Sequence, residues 1–185
     1  MTGPAPATPP GRIVPDGEWA TLEFERLFPQ PPGAVWKALT DPEALRHWYM
    51  TEARIEARPG GSVELVAGPS RLQVTGRILT WDPPRVLEHE WKVAARPELP
   101  SGEDGVIRWE LRPDGTGTRL RLTHARLRAR TAGGFAPGTH AFLDRLAAQL
   151  DGRSLPNWQE RYTEVAPLYP SNWTTRTTPG GPPTG

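Results

Sequence analysis

The stretch from Ala34 to Tyr49 constrains the fold of this chain more than any other. Val35, Trp36 and Leu39 share one helical stripe, because positions three or four apart lie on the same face of a helix. The stripe is interrupted by Asp41-Pro42-Glu43. Asp41 is a good N-cap, Pro42 suits a first helical position, and Glu43 favours the positive end of a new helix. Leu45, Trp48 and Tyr49 then supply a second buried face. Two short helices in succession, each with one apolar side, suit the closure of one end of a curved sheet.

The flanking sequence supplies that sheet. From Trp19 to Phe28, Leu22, Phe24 and Arg26 share a face, which predicts a first strand ended by Pro29, Pro31 and Pro32. After the helical pair, Ala53, Ile55 and Ala57 alternate, Pro59-Gly60-Gly61 turns, and Val63, Leu65 and Ala67 alternate again. Gly68-Pro69 marks a further turn. Leu72, Val74, Gly76 and Ile78 then line one face of a longer strand, closed by Asp82-Pro83-Pro84. Leu87, His89 and Trp91 share a side over Val86 to Val93. A loop is expected around Pro97 to Asp104, and Ile107, Trp109 and Leu111 are in register beyond it. Pro113-Asp114-Gly115 reads as a hairpin turn, and the last strand places Leu120, Leu122 and His124 together.

The period then changes. Phe135, Phe142, Leu143, Leu146 and Leu150 fit the stripe of a helix from about Pro137 to Leu150, with Gly152 placed to end it. The start is set at Pro137 because Gly133, Gly134 and Gly138 are poor helix formers. A short helix is expected near Trp158-Gln159-Glu160-Arg161-Tyr162, with Trp158, Tyr162 and Val165 facing the domain. Strand, two small helices, six strands and a long helix give an α+β order, not alternating βαβ units. A bent antiparallel sheet of about seven strands would wrap the long helix and leave a cavity between them.

Composition bounds the function. The 185 residues suffice for one domain with a real core. Twenty-two basic and 21 acidic side chains give a formal net charge of +1, with no global attraction to nucleic acid or an acidic membrane. No apolar run approaches a membrane span, and the first residues lack the charged-then-apolar order of a signal peptide. The absence of cysteine excludes disulfides, thiolate metal sites and cysteine nucleophiles. A cytoplasmic protein is the simplest expectation. Proline at 4, 6, 9, 10 and 15 predicts an unstructured tail over 1–17. The Thr/Pro/Gly-rich stretch 171–185 predicts another, leaving 18–170 as a single domain.

The order of these motifs resembles the START-like (Bet v 1-like, SRPBCC) superfamily. Within it the chain is most similar to the group related to the C-terminal domain of the activator of Hsp90 ATPase. Val35-Trp36-Lys37-Ala38-Leu39-Thr40-Asp41-Pro42-Glu43 with Trp48, Pro59-Gly60-Gly61, Gly76-Arg77-Ile78-Leu79, Asp82-Pro83-Pro84-Arg85 and Trp91 carry the resemblance. Gly117-Thr118-Arg119-Leu120-Arg121-Leu122-Thr123-His124 and Leu143-Asp144-Arg145-Leu146 complete it. It implies a helix-grip fold with a cavity and no single activity, since relatives include lipid carriers, hormone receptors and polyketide cyclases. Eukaryotic activators carry a separate N-terminal domain that helps engage the chaperone. This chain has a proline-rich stretch in that place, which argues against Hsp90 stimulation.

The residues offer little chemistry. His47, His89, His124 and His140 are scattered, without metal-ligand spacing. His89 and His124 alternate in phase with apolar neighbours and project toward the cavity, whereas His140 is expected to be exposed or at the helix flank. Glu88 and Glu90 point to the other sheet face, and Trp81 is expected to cover an edge. Arg26, if inward, can pair with a ligand carboxylate. Arg119 and Arg121 read as a solvated strand face, without the interleaved aromatics of a nucleic-acid groove. No nucleophile elbow or phosphate loop is present, and no cofactor or metal is implied.

The first expectation is therefore a non-catalytic module for a small apolar or amphipathic molecule. Its walls would be Leu72, Val74, Leu87, His89, Trp91, Trp109, Leu122, His124, Phe135 and Phe142. A cyclase- or hydrolase-like enzyme, with a histidine paired to a second polar group, is the alternative. A stress-response protein-interaction module with a filled cavity is the third. A homodimer is left open, and no nucleic-acid or membrane partner is expected.

Overall fold

The computed structural model describes residues 8–67 and 71–170. The expected turn at Gly68-Pro69, the first seven residues and the stretch 171–185 lie outside them. The architecture is α+β. Eight strands form one sheet in the order β1-β2-β8-β7-β6-β5-β4-β3, every neighbouring pair antiparallel. In chain order they are β1 (Arg12–Asp16), β2 (Trp19–Phe28), β3 (Glu52–Ile55), β4 (Ser62–Val66), β5 (Gln73–Asp82), β6 (Val86–Val93), β7 (Glu103–Asp114) and β8 (Gly117–Arg128). Helices α1 (Pro32–Thr40) and α2 (Pro42–Trp48) join β2 to β3, and α3 (Ala129–Leu150) and α4 (Trp158–Val165) follow β8.

The strands form where period-two alternation offers one apolar face. Along β2, Ala20, Leu22, Phe24, Arg26 and Phe28 are buried while Glu25 and Leu27 face out. The outward face is laced with charge pairs, so its basic residues have counter-ions on the neighbouring strands. Arg108 meets Glu88 at 3.0 Å, and Arg119 meets Asp114 at 2.7 Å. Asp41 divides the helical pair as its chemistry dictates. Its carboxylate accepts from the backbone N–H of Glu43 at 2.8 Å and Ala44 at 3.3 Å, capping α2.

Four expectations need correction. The sheet has eight strands because Arg12–Asp16, expected within a tail, pairs with β2 in register. Pro15 sits on this edge strand, where a missing N–H is tolerated. The loop expected around Pro97 to Asp104 is shorter, since β7 begins at Glu103 and pairs to the end of β6. Helix α3 begins at Ala129, not near Pro137. Each glycine costs a helix about 1 kcal/mol, but packing outweighs propensity here, because Gly133 and Gly138 are both buried. A Cβ on Gly138 would stand 3.1 Å from the Trp158 ring, so its bareness lets α4 close on α3.

The fourth correction concerns His140, which is completely buried. A single-stripe wheel leaves it at the flank, but α3 is covered on more than one side. The segment before β1 and the chain beyond α4 both reach that flank: Thr8 lies 2.7 Å from His140 Nε2, and Tyr169 lies 2.8 Å from its Nδ1. Trp81 also has a partner, packing edge-to-face on Trp36 of α1 at 5.1 Å. Among the described residues, no helix is long and apolar enough to cross a membrane.

Candidate functional site

The inward faces of β6 to β8 and the underside of α3 do not meet everywhere. Between them lies a cavity of about 310 Å³, roofed by α3 and flanked by α2 and the start of α4. Its deep wall is built by strand register. Trp91 on β6 stands opposite Gly105 on β7, and Ile107 on β7 stands opposite His124 on β8. Glycine at 105 eases this approach, because a Cβ there would lie 3.0 Å from the Ala125 carbonyl oxygen and 3.2 Å from His124 Nε2. Trp91 meets His124 edge-on at 4.6 Å between ring centroids and Phe135 of α3 at 5.1 Å. Trp109 and Phe142 pack edge-on against Tyr49, at 6.3 and 4.7 Å.

Seven of the ten residues expected from the sequence line this space: Leu72, Trp91, Trp109, Leu122, His124, Phe135 and Phe142. Val74, Leu87 and His89 face the same way but are packed into the core away from it. The sheet face was legible from alternation. Where along that face the helix stands off is a matter of tertiary packing. Lining residues outside the strand and helix stripes were missed. They include Arg46, His47, Tyr49 and Met50 at the end of α2, Arg145 on α3, and Asn157, Trp158 and Gln159 at the start of α4. The apolar members Tyr49 and Trp158 carried a signal, since both had been placed on inward helix faces.

Two polar atoms in the deep wall have no hydrogen-bond partner. They are Trp91 Nε1 and His124 Nε2. The Trp91 indole interacts with the Tyr49 hydroxyl, partly opposing the rise in the Tyr49 pKa that burial causes. Buried polar groups are normally satisfied, and an unmade bond costs about 1–3 kcal/mol. Burial lowers the pKa of His124 to about 3, with the nearby His89 adding to the effect, so its imidazole is neutral at pH 7. His89 is lowered to about 4 by burial, opposed by the bond between its Nδ1 and the Glu90 carbonyl at 2.7 Å. The indole can only donate; the neutral imidazole can donate or accept.

Arg26 is inward, as its phase implied, but it is not part of the cavity lining. It lies in a second buried polar group with His140, Asp144, Arg161 and Tyr169, which interact electrostatically. No set of three potential ligands that could hold a metal ion occurs among the described residues.

Comparison with known proteins places this geometry in context. Residues 29–151 match the family model described as Activator of Hsp90 ATPase homolog 1-like protein. The matched segment runs from the end of β2 to the end of α3 and so spans most of the cavity wall. Among curated proteins none matches. Among solved structures, CalU16 from Micromonospora echinospora is similar with a TM-score of 0.67 and 25% identity, over 90% of this chain and 96% of that one. The protein encoded by gene BPP1335 from Bordetella parapertussis is similar at 0.65 and 29%, over 91% and 94% of the two chains. Protein MLL2253 from Mesorhizobium loti is similar at 0.65 and 27%, over 73% and 99%.

Proposed function

The chain belongs to the activator of Hsp90 ATPase homolog 1-like family, within the START-like superfamily, and on that premise we propose that it is a cytoplasmic binding module. Its ligand is a small, largely apolar molecule held between sheet and α3, and no chemistry is done on it. The observation that carries this reading is the cavity itself, about 310 Å³ enclosed by a largely aromatic and aliphatic wall that includes Trp91, Ile107, Trp109, Leu122, Phe135 and Phe142. The fold adds support, because pockets between helix and sheet suit guests of this kind. Burial of apolar ligand surface would supply the affinity, at roughly 25 cal/mol per Å² before ordering costs. Binding without turnover is favoured because His124, its pKa lowered to about 3, is a weak base, and the lining places no carboxylate beside it.

The test fills the space without removing packing. Thr139 lines the cavity from α3, so Thr139→Phe places a ring in the void. Titration with the neutral fluorescent probe N-phenyl-1-naphthylamine should show saturable binding to the native protein. Affinity should fall by about tenfold or more in Thr139→Phe, the order expected for losing a ring-sized apolar contact, with the melting temperature maintained. Unchanged affinity in that variant would remove the cavity from consideration. Native mass spectrometry of freshly purified protein would identify a retained guest.

A further inference from the structure

On the reading that this cavity binds a small molecule, we infer that the ligand is an amphipathic acid. Its apolar, ring-bearing body lies within, and a single anionic head group rests at the mouth beside Arg145 and Arg46. The mouth is marked by the exposed lining residues Arg46, His47, Thr51, Asn157 and Gln159, and the deep wall by buried Trp91 and His124. Among the described residues the lining contains two arginines and two histidines but no aspartate or glutamate. This asymmetry is local. On the outer sheet face, Arg108, Arg119 and Arg121 each meet an acidic side chain, and the whole chain is nearly neutral.

Arg145 is the informative member. Its Nε donates to the Trp48 carbonyl at 2.8 Å, Nη1 to the Pro156 carbonyl, and Nη2 to the His47 carbonyl at 3.2 Å. Three backbone oxygens thus fix the guanidinium plane, and none of them neutralises it. A guanidinium has five N–H donors, so two remain without a partner among the described residues. Burial pushes the Arg145 pKa below its usual range, and no acidic neighbour opposes that push. Arg46, on the adjoining α2, has only a loose 4.0 Å contact with the exposed Glu43. An oriented cation with free donors, partly desolvated at the lip of an apolar pocket, is matched by a carboxylate-like oxygen anion. The same field would draw such a ligand toward the mouth and orient it head outward.

A pair of probes isolates the head group. 1-Anilinonaphthalene-8-sulfonate and N-phenyl-1-naphthylamine share one ring system and differ by the sulfonate. The native protein should bind the anionic probe about tenfold more tightly than the neutral one, as befits one charge-assisted contact. Added salt should narrow that gap without moving the neutral probe. Arg145→Gln should lower affinity for the sulfonate and leave the neutral probe unchanged. Arg46→Gln, at an exposed position, should do the same to a smaller extent and covers the case in which Arg145→Gln unfolds. Thr139→Phe should exclude both probes. Equal affinities, or arginine variants that affect neither probe, would overturn the acidic head group while the cavity stands. Failure of both probes to bind, or sulfonate binding that survives Thr139→Phe, would overturn the head group along with the pocket itself.

Discussion

Three histidines illustrate how burial sets chemistry at the scale of single residues. His140 sits in a chain of hydrogen bonds. The Gly11 N–H donates to the Tyr169 hydroxyl at 3.1 Å, and that hydroxyl shares a hydrogen bond with His140 Nδ1 at 2.8 Å. His140 Nε2–H then donates to Thr8 Oγ1 at 2.7 Å, whose own hydrogen goes to Asp144 Oδ1 at 2.8 Å. Burial lowers the His140 pKa and so favours the neutral imidazole, with Asp144 opposing the shift. His89 and His124 are lowered to about 4 and about 3. In the unfolded chain each histidine takes up its proton near pH 6.5, so between that value and the folded pKa the unfolded state holds more protons. Stability is therefore full above about pH 6.5 and declines as pH falls toward 4. Each buried histidine contributes roughly 1.4 kcal/mol per pH unit across that window. Urea denaturation at pH 7.5, 6, 5 and 4.5 should record the decline, and His124→Gln should make it shallower by about one proton. A flat profile over this range would mean that the histidines are not buried as described.

Elements respond to their caps and to what covers them. Asp41 ends α1 and begins α2, with its carboxylate on two otherwise orphaned N–H groups. Asp41→Ala should lower stability by about 1 kcal/mol, measured as a lower urea midpoint with an unchanged slope. Because α2 positions Trp48, on which the cavity-lining Tyr49 stacks, the same variant should also weaken probe binding slightly. Wild-type stability in Asp41→Ala would show that the cap is replaceable by water. Both helices were legible in the sequence, because capping and stripe are local properties. The strand faces were legible too: Leu22, Trp91, Ile107 and Leu122 point inward as their alternation predicts. The start of α3 was not, because Gly133 and Gly138 argue against a helix locally and are accepted only where a bare backbone is needed for packing. His140 was misjudged for a related reason, since one flank of α3 is buried by chain segments more than a hundred residues and nearly thirty residues away.

At the scale of the whole molecule, β1 and the residues before it tie the sheet edge to the far flank of α3. Gly11 lies flat on Phe24, where a Cβ would come within 2.4 Å of the ring, and Ile13 packs on the core. Thr8 reaches both His140 and Asp144. Deleting residues 1–17 should therefore lower the melting temperature by several degrees, the shift expected from losing one to two kcal/mol in a domain of this size. It would uncover a buried cluster in which Asp144 holds Arg161 at 2.7 Å and Arg26 Nε and Nη2 have no partner. The cavity lies on the opposite flank of α3, so probe affinity should persist in the truncated protein. Loss of binding with an unchanged melting temperature would reverse that assignment.

By itself the sequence determined the element types, the inward face of each long strand and the capped helical pair. All of these depend on spacing within a dozen residues, where the periods of helix and strand are set by backbone geometry. The tertiary structure alone decided where the sheet and α3 part to leave a void. It also decided which flank of α3 is covered, and that Arg145 is anchored by backbone carbonyls at the mouth. Those outcomes arise from surfaces meeting across long chain separations, and burial belongs to the pair of surfaces, not to either segment.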